Sequence, residues 1–391
     1  MLYIEATNVL QFLQRDWKVS GIQRVTLEVI RRLHRDLGSE NVRLLSFDPA
    51  THGLSCAPVG TLEDIISSQS DIKVRQRAKK SWTDQWNKIA ATSNDTLLLI
   101  EGMGWENNYQ AYERLKANTG VRVYQIVHDI IPIARPEFCG KEHAASFARA
   151  LPIAMRISDE ILAVSEFTKQ DLLKRCASMI PAKTRVRVWP LAHEFPLAHD
   201  ESPVLPESVK GKFVLSVGTI EDRKNQYRTV QAWRKLAKKY GTELPQLVLV
   251  GRYGIFTSQL IRLYLRVIIE KLGSKRVVVL NRCSDEILRA LYSHCQFSVY
   301  ISSYEGWGLP VGESLWCGKP VLSARLTSLP EVGDNLVDYI DPNDKEALMG
   351  AIEKLAFNTP YRNSRAQLIN QTKLRDWDEV SRNLIDLIYA N

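Results

Sequence analysis

The stretch Ser303-Tyr304-Glu305-Gly306-Trp307-Gly308-Leu309-Pro310-Val311-Gly312-Glu313 decides how this chain is read. An apolar run, residues 297–301, leads into it, and residues 310–317 leave it with helical spacing. It is therefore a strand-to-helix loop. Gly306 and Gly308 let the backbone come close to a ligand. Pro310 suits a first helical turn, where a missing N–H costs nothing. The free N–H groups near Leu309 and the helix dipole attract a phosphate. Glu313 follows just inside the helix, and its side chain leans back toward that N-terminus. A carboxylate so placed accepts two hydrogen bonds from vicinal hydroxyls such as those of a ribose. As plain architecture, the same residues would be a strand-breaking loop with an acidic first turn. The glycine spacing is not the Gly-x-Gly-x-x-Gly of dinucleotide sites, and no P-loop pattern occurs.

Working outward, a second loop follows the apolar run at 213–217: Val217-Gly218-Thr219-Ile220-Glu221-Asp222-Arg223-Lys224-Asn225. Adjacent Arg and Lys suit a pyrophosphate, one as a planar fork and the other as a point charge, although a charged surface turn would look the same. Arg252, after the next apolar run, is a third candidate cation. The second half alternates strands at 213–217, 247–250, 277–280, 297–301 and 320–323 with helices at 227–240, 256–272, 285–295 and 310–317. Ser284 is a candidate N-cap. Such alternation implies a parallel sheet covered on both faces. The first half shows the same grammar less cleanly, with a helix at 22–37 and strands at 96–100, 121–127 and 160–164. Residues 195–211 hold Pro196, Pro203 and Pro206 and read as a linker. The reading gives an α/β protein of two Rossmann-like domains, residues 1–200 and 201–374. A closing helix at 375–391 packs back on the first. In open parallel sheets ligands bind beyond the carboxyl ends of the strands, so the loops are where chemistry belongs.

Composition narrows the class. The 391 residues exceed one comfortable core. No apolar run approaches the ~20 residues that span a bilayer. The start lacks a basic segment followed by an apolar one, which points to a cytoplasmic protein. The net charge of +8 suits anionic partners, but the excess is spread over both halves, so nucleic acid is not expected. Its densest cluster is Lys73, Arg75, Arg77, Lys79 and Lys80, followed by Trp82 and Trp86. The six cysteines form no Cys-x-x-Cys pair and read as reduced thiols. The one Asp-x-Asp, Asp376-Trp377-Asp378, reads as first-turn helix acids, and no metal site is expected.

These motifs resemble those of the group-1 (family 4) glycosyltransferases. The likeness rests on Glu305 and Glu313 with seven residues between, the loop 218–225, Cys317-Gly-Lys-Pro-Val321, Ser328-Leu-Pro-Glu-Val332, Asp341-Pro342 and Trp377. More loosely, it includes Ser20-Gly21-Ile-Gln-Arg24, Val127-His128-Asp129 and Val164-Ser165-Glu-Phe-Thr-Lys169. The resemblance implies a GT-B fold, with the two sheets facing across a cleft, and a retaining, metal-independent mechanism without a cofactor. It implies that Glu313 binds ribose, Glu305 lies beside the donor sugar, and Lys224 with Arg223 neutralises the diphosphate. Gly21, Thr219, Asn225, Arg252, Gly306, Gly308, Leu309 and Pro310 would complete the donor site. His128 would lie at the reacting centre, and Asp129 and Ser165 on the acceptor side. Some members of that family carry Arg where this chain has Thr219; members that share the Thr carry Pro where this chain has Asp222.

The partners implied are a nucleotide sugar and a glycan or lipid-linked glycan. The lipid-linked case would make the protein peripheral on the inner face of the cell membrane. The style of the 218–225 loop favours mannose from GDP-mannose, with rhamnose or another hexose from a dTDP or UDP donor as the alternative. A sugar-nucleotide epimerase of the same architecture and a non-catalytic sugar-nucleotide-binding subunit are the readings from other classes.

Overall fold

The computed structural model describes residues 1–15, 21–62, 86–101, 106–195, 204–254, 257–273, 275–281 and 283–389. The cluster Lys73–Lys80 and Trp82 lie outside the described residues. The chain divides into two compact units, Met1–Leu191 with Trp377–Asn391, and Ala192–Asp376.

The first unit is built on eight strands: β1 (Leu2–Glu5), β2 (Val42–Asp48), β3 (Gly53–Pro58), β4 (Asn87–Lys88), β5 (Thr96–Leu99), β6 (Arg122–Val127), β7 (Glu160–Ala163) and β8 (Arg185–Val188). They lie in the order β4-β3-β2-β1-β5-β6-β7-β8. Only β3 is reversed, lying antiparallel to both β2 and β4. Its helices are α1 (Thr7–Arg15), α2 (Gly21–Leu37), α3 (Glu106–Thr119), α4 (Ile131–Ala134), α5 (Lys141–Ile157) and α6 (Glu166–Cys176). In α2 the apolar residues Val25, Val29, Ile30 and Leu33 form the buried face that their spacing predicts. The closing helix, Trp377–Tyr389, belongs to this unit. Trp377, Val380, Leu384 and Ile388 are buried, the Trp189 indole N–H donates to the Val380 carbonyl at 3.1 Å, and Arg32 donates to Asp378 at 2.9 Å. Asp378 thus sits in a first helical turn paired with an arginine.

The second unit holds six parallel strands: β9 (Phe213–Val217), β10 (Gln246–Val250), β11 (Val277–Leu280), β12 (Ser298–Tyr300), β13 (Val321–Ala324) and β14 (Asp338–Ile340). Its helices are α7 (Gln226–Tyr240), α8 (Gln259–Leu272), α9 (Asp285–His294), α10 (Leu309–Trp316), α11 (Leu329–Gly333), α12 (Lys345–Phe357) and α13 (Thr359–Gln371). Helix α8 begins at Gln259, three residues later than its apolar pattern suggests, because the Ser258 hydroxyl accepts from the Ile261 N–H and caps it there. Ser284 caps α9 in the same way. Of the proline-bearing stretch 195–211, Phe195 and Val209 pack into the core against Phe213 and Leu215, and 196–203 lie outside the described residues.

The strand order is β11-β10-β9-β12-β13-β14. The chain therefore runs outward from β9 to β11 and returns to β12 on the other side of β9. That reversal is a topological switch point, where the loops leaving two neighbouring strands diverge and open a crevice. The loops after β9 and β12 are the two singled out in the sequence.

Candidate active site

At this switch point three of the sequence-predicted residues of the second unit meet. Glu305, Arg223 and Lys224 come together around one carboxylate oxygen. Arg223 Nη1 lies 2.7 Å and Lys224 Nζ 3.8 Å from Glu305 Oε1. The Tyr300 hydroxyl donates to the same oxygen at 2.6 Å and accepts from Lys224 Nζ at 3.1 Å. Burial pushes the Glu305 carboxyl up, but Arg223, then Lys224 and the Tyr300 hydroxyl, outweigh it and hold it at about 2. Glu305 is thus ionised at every physiological pH. Its other oxygen, Oε2, has no hydrogen-bond partner among the described residues.

The two cations differ in freedom. Arg223 also donates to the Tyr304 carbonyl and lies 3.4 Å from Glu221 Oε2. Its fork is largely committed to the protein. Among the described residues the Lys224 ammonium meets only Tyr300 and the more distant carboxylate, so it keeps donors for a ligand. Glycine makes room for it: a Cβ at Gly218 would lie 3.1 Å from Lys224 Nζ. Gly218 and Gly251 also meet where β9 and β10 end, and a Cβ at Gly251 would lie 2.1 Å from the Gly218 carbonyl oxygen.

The helix ends around this cluster are unusual for their unit. Helices α8, α9, α12 and α13 have side-chain N-caps, from Ser258, Ser284, Asp344 and Asn358. Helices α7, α10 and α11, which start at the site, have none. The residues that could cap them are turned elsewhere. The Asn225 amide donates to the Ile301 carbonyl at 2.9 Å and the Ser303 hydroxyl at 2.7 Å, tying the two loops together. The Ser328 hydroxyl lies 2.9 and 2.8 Å from the carbonyls of Glu305 and Trp307. Thr327, left-handed at φ 54, accepts the Glu305 N–H at 3.1 Å. Uncapped N–H groups beside two fixed cations form a cradle suited to an anion. Gly308, at φ 115, closes the turn into α10, and Leu309 and Pro310 open that helix half-buried. Gly306 is buried in the same loop.

Glu313 is buried on α10 and accepts from the Tyr292 hydroxyl at 2.8 Å. Thr219 lies in the loop with its carbonyl accepting from Gln226, and Arg252 is exposed beyond β10. Tyr300, Tyr292 and Thr327 were not singled out in the sequence. For Tyr300 the sequence offers no more than an aromatic residue at a strand end.

On the first unit, His128 follows β6 and is buried. Its Nε2 lies 2.7 Å from the Ile100 carbonyl. A carbonyl can only accept, so Nε2 carries the proton and Nδ1 is the acceptor of the neutral ring. Burial lowers its pKa to about 4. Asp129 accepts from the Ile131 N–H at 3.0 Å. The fully buried Ser165 hydroxyl caps α6 by accepting the Thr168 N–H at 3.0 Å. Gly21 starts α2 at φ 43 with open space around it. Among the described residues no group of three His, Cys, Asp or Glu is placed to hold a metal, and no helix is long and apolar enough to cross a membrane.

Two parallel α/β units, one with an anion cradle at its switch point, define an enzyme of the two-Rossmann-domain class that handles nucleotide-linked substrates. The family profile described as "Glycosyl transferases group 1" matches residues 199–375, so the second unit is a group 1 glycosyltransferase domain and the chain is a glycosyltransferase. The chain is 27% identical to O-antigen chain mannosyltransferase B of Escherichia coli, over 68% of this chain and 69% of that protein. It is 23% identical to the serotype-specific mannosyltransferase WbdA of Escherichia coli over 93% of this chain, which spans only 45% of WbdA. Among solved structures, Anabaena Alr3699/HepE in complex with UDP-glucose aligns over 100% of this chain and 99% of its own, at TM-score 0.65 and 15% identity. Trehalose-6-phosphate from E. coli bound with UDP-2-fluoro glucose, as that structure is described, aligns over 99% and 98% at TM-score 0.63 and 12% identity. These likenesses show the GT-B fold.

Proposed function

We propose that the protein transfers mannose from GDP-mannose to a glycan or lipid-linked glycan with retention of anomeric configuration, and without a metal. The observation that carries this reading is the cradle in which Lys224 and Arg223 are held by Glu305 beside the uncapped start of α10. Sugar transfer needs a departing nucleoside diphosphate to be stabilised, and fixed cations with helix N–H groups do that work electrostatically. Lys224 takes the diphosphate. Glu305, permanently ionised, cannot act as an acid. Its Oε2 accepts a hydroxyl of the donor sugar and favours positive charge on the ring. Glu313, with Tyr292, holds the ribose. The neutral His128 ring orients a sugar hydroxyl through Nδ1 and does not supply a proton. No carboxylate of the cluster is free of cations and so shaped as an enzymic nucleophile. This favours departure and attack on one face, the leaving phosphate taking the acceptor's proton. The mannose assignment draws on the mannosyltransferase relatives, at 23–27% identity, and on the loop 218–225. An acceptor carried on lipid would bring the protein to a membrane surface.

The test is a thermal-shift screen of the full chain with GDP-mannose, dTDP-rhamnose, UDP-glucose and the free nucleotides, followed by incubation with a mannosyl acceptor. Stabilisation by GDP-mannose and an α-linked product unaffected by EDTA are expected. Preference for another nucleotide would overturn the donor, and EDTA inhibition the metal-free mechanism. Donor turnover without acceptor would indicate epimerisation, and binding without any turnover a non-catalytic subunit.

A further inference from the structure

The second unit carries a patch that donor chemistry does not use. Helix α8 turns Leu265 and Ile268 into the core. On its outer side Leu260, Leu263 and Val267 are 80%, 59% and 37% exposed. Their spacing of three and four residues puts them on one stripe. No other described helix exposes more than one large apolar side chain. Arg266 and Lys271 flank the stripe and are exposed, and Glu270 is the one acid on that side. Arg262 points away, donating to the carbonyls of Thr257 and Gly254.

Beside the stripe lies a cavity of about 250 Å³. Tyr264, one turn from Leu260 on the same helix, forms part of its wall, with Leu348 as apolar floor. Its rim holds four cations, Arg228, Arg234, Lys235 and Lys345, and no carboxylate lines it. Arg228 donates to Asn225 Oδ1 at 3.2 Å. Lys235 meets Glu346 at 3.6 Å, an exposed pair that holds it weakly. Arg234 and Lys345 have no partner among the described residues. Lys345 stands in the first turn of α12, where the helix dipole disfavours a cation. A soluble phosphate would need the cations but not the leucines. An apolar protein groove would need the leucines but not a cavity rimmed by four cations. An anionic membrane uses both, with the headgroup among the cations and the aliphatic stripe at the acyl boundary.

We propose that this face of the second unit docks on an anionic phospholipid surface, a headgroup phosphate seated among Arg228, Arg234, Lys235 and Lys345 while Leu260, Leu263 and Val267 enter the interface. The inference rests on the lipid-linked acceptor of the proposed function and gives that membrane contact a location; it does not depend on the donor.

The experiment is co-sedimentation of the full chain with vesicles of phosphatidylglycerol or of phosphatidylcholine, with donor binding followed separately by the GDP-mannose thermal shift. Wild type is expected to pellet with phosphatidylglycerol, less so as salt rises, and to stay in solution with phosphatidylcholine. Leu260→Ser/Leu263→Ser and Arg234→Glu/Lys345→Glu should each lower vesicle binding roughly tenfold or more while keeping the thermal midpoint and the GDP-mannose shift. Failure of wild type to bind phosphatidylglycerol, equal binding to phosphatidylcholine, or undiminished binding by both variants would overturn the proposal. So would stabilisation by inorganic phosphate through Arg234 and Lys345 with no vesicle binding. Loss of the GDP-mannose shift with vesicle binding intact would sink the donor reading alone.

Discussion

Lys224 and Arg223 sit side by side in sequence, yet their surroundings predict different phenotypes. Arg223 is held by Glu305, the Tyr304 carbonyl and Glu221, and removing it leaves a buried carboxylate short of its main partner. Arg223→Ala should therefore cost about 3–5 kcal/mol of stability as well as activity. Lys224→Ala should cost less stability than Arg223→Ala, because its carboxylate contact is longer, and weaken GDP binding by about 1–3 kcal/mol, the scale of a lost charged hydrogen bond. Urea unfolding and calorimetric titration separate the two. Equal GDP affinity in Lys224→Ala would remove that residue from the phosphate site. The pH dependence follows from Glu305 and His128. Glu305 is held at about 2, below its unfolded value, so its contribution is present above about pH 4.5 and fades as pH falls toward 2. His128 titrates at about 4 in the fold and near 6.5 unfolded, so the unfolded chain binds the extra proton between those values. Stability should then fall on acidification from pH 6.5 to 4 by roughly 1.4 kcal/mol per pH unit from this one residue. His128→Gln should flatten that slope in urea titrations, and an unchanged slope would show that the acid limb comes from elsewhere. Individual residues also mark the limit of reading sequence alone. Glu305, Arg223 and Lys224 stand in motifs, but Tyr300, which bridges them, looks like any strand aromatic. Thr327 reaches Glu305 from 22 residues away through a left-handed turn that no local pattern announces.

At the scale of elements, the division between capped and uncapped helices separates architecture from function. The Asp344 carboxylate accepts the N–H groups of Glu346 and Ala347 at 3.0 and 2.9 Å. Asp344→Ala should cost about 1 kcal/mol of stability and leave GDP binding alone. Gly308→Ala is the opposite case. Its φ of 115 disfavours any side chain, and a Cβ would lie 2.6 Å from Leu329 Cδ2, so the buried Leu329 side chain or the start of α10 must move. A loss of about 1–3 kcal/mol together with weakened nucleotide binding is expected; wild-type affinity in that variant would mean α10 is not part of the cradle. The elements legible in the sequence are those whose burial is simple. Strands β9 to β13 are short apolar runs ended by turn residues, and they were placed to within two residues. Strands β3 and β4 escaped because Gly53–Pro58 is only partly buried and Asn87–Lys88 is exposed and paired only with β3 at the sheet edge. Helix α13, Thr359–Gln371, buries only Ile369 and so has almost no apolar stripe to read. The apolar spacing predicts a helix over 256–272, and α8 begins three residues later. Its buried side fits that, but its exposed leucines are invisible to a pattern that counts apolar residues without knowing which face is covered.

For the whole molecule, the consequential fact is where the cradle's supports lie. Among the described residues, the ion pairs and hydrogen bonds that hold Arg223, Lys224 and Glu305 come from Ala192–Asp376. Nucleotide affinity should then be a property of the second unit, although the charge of +8 would draw an anion to many places on the chain. Hydrogen exchange of the full chain with GDP distinguishes the two. At a GDP concentration about 100 times Kd, mass action stabilises the bound state by about 2.7 kcal/mol. Amides that open only by unfolding this unit should slow accordingly. The expected pattern is protection in the loops 218–225 and 302–309, at the start of α10 and through β9 and β12, with β1, β5 and β6 unchanged. Protection at Gly21–Val25 would bring that segment into the donor site as the resemblance implies. Uniform slowing over both units would mean that GDP acts as a general counter-ion and would remove the cradle as the nucleotide site. The same experiment on Glu313→Ala gives the finer answer. If Glu313 holds the ribose, the variant needs more GDP to reach the same protection, whereas an unchanged midpoint would leave the Tyr292–Glu313 pair as a structural contact beneath α10.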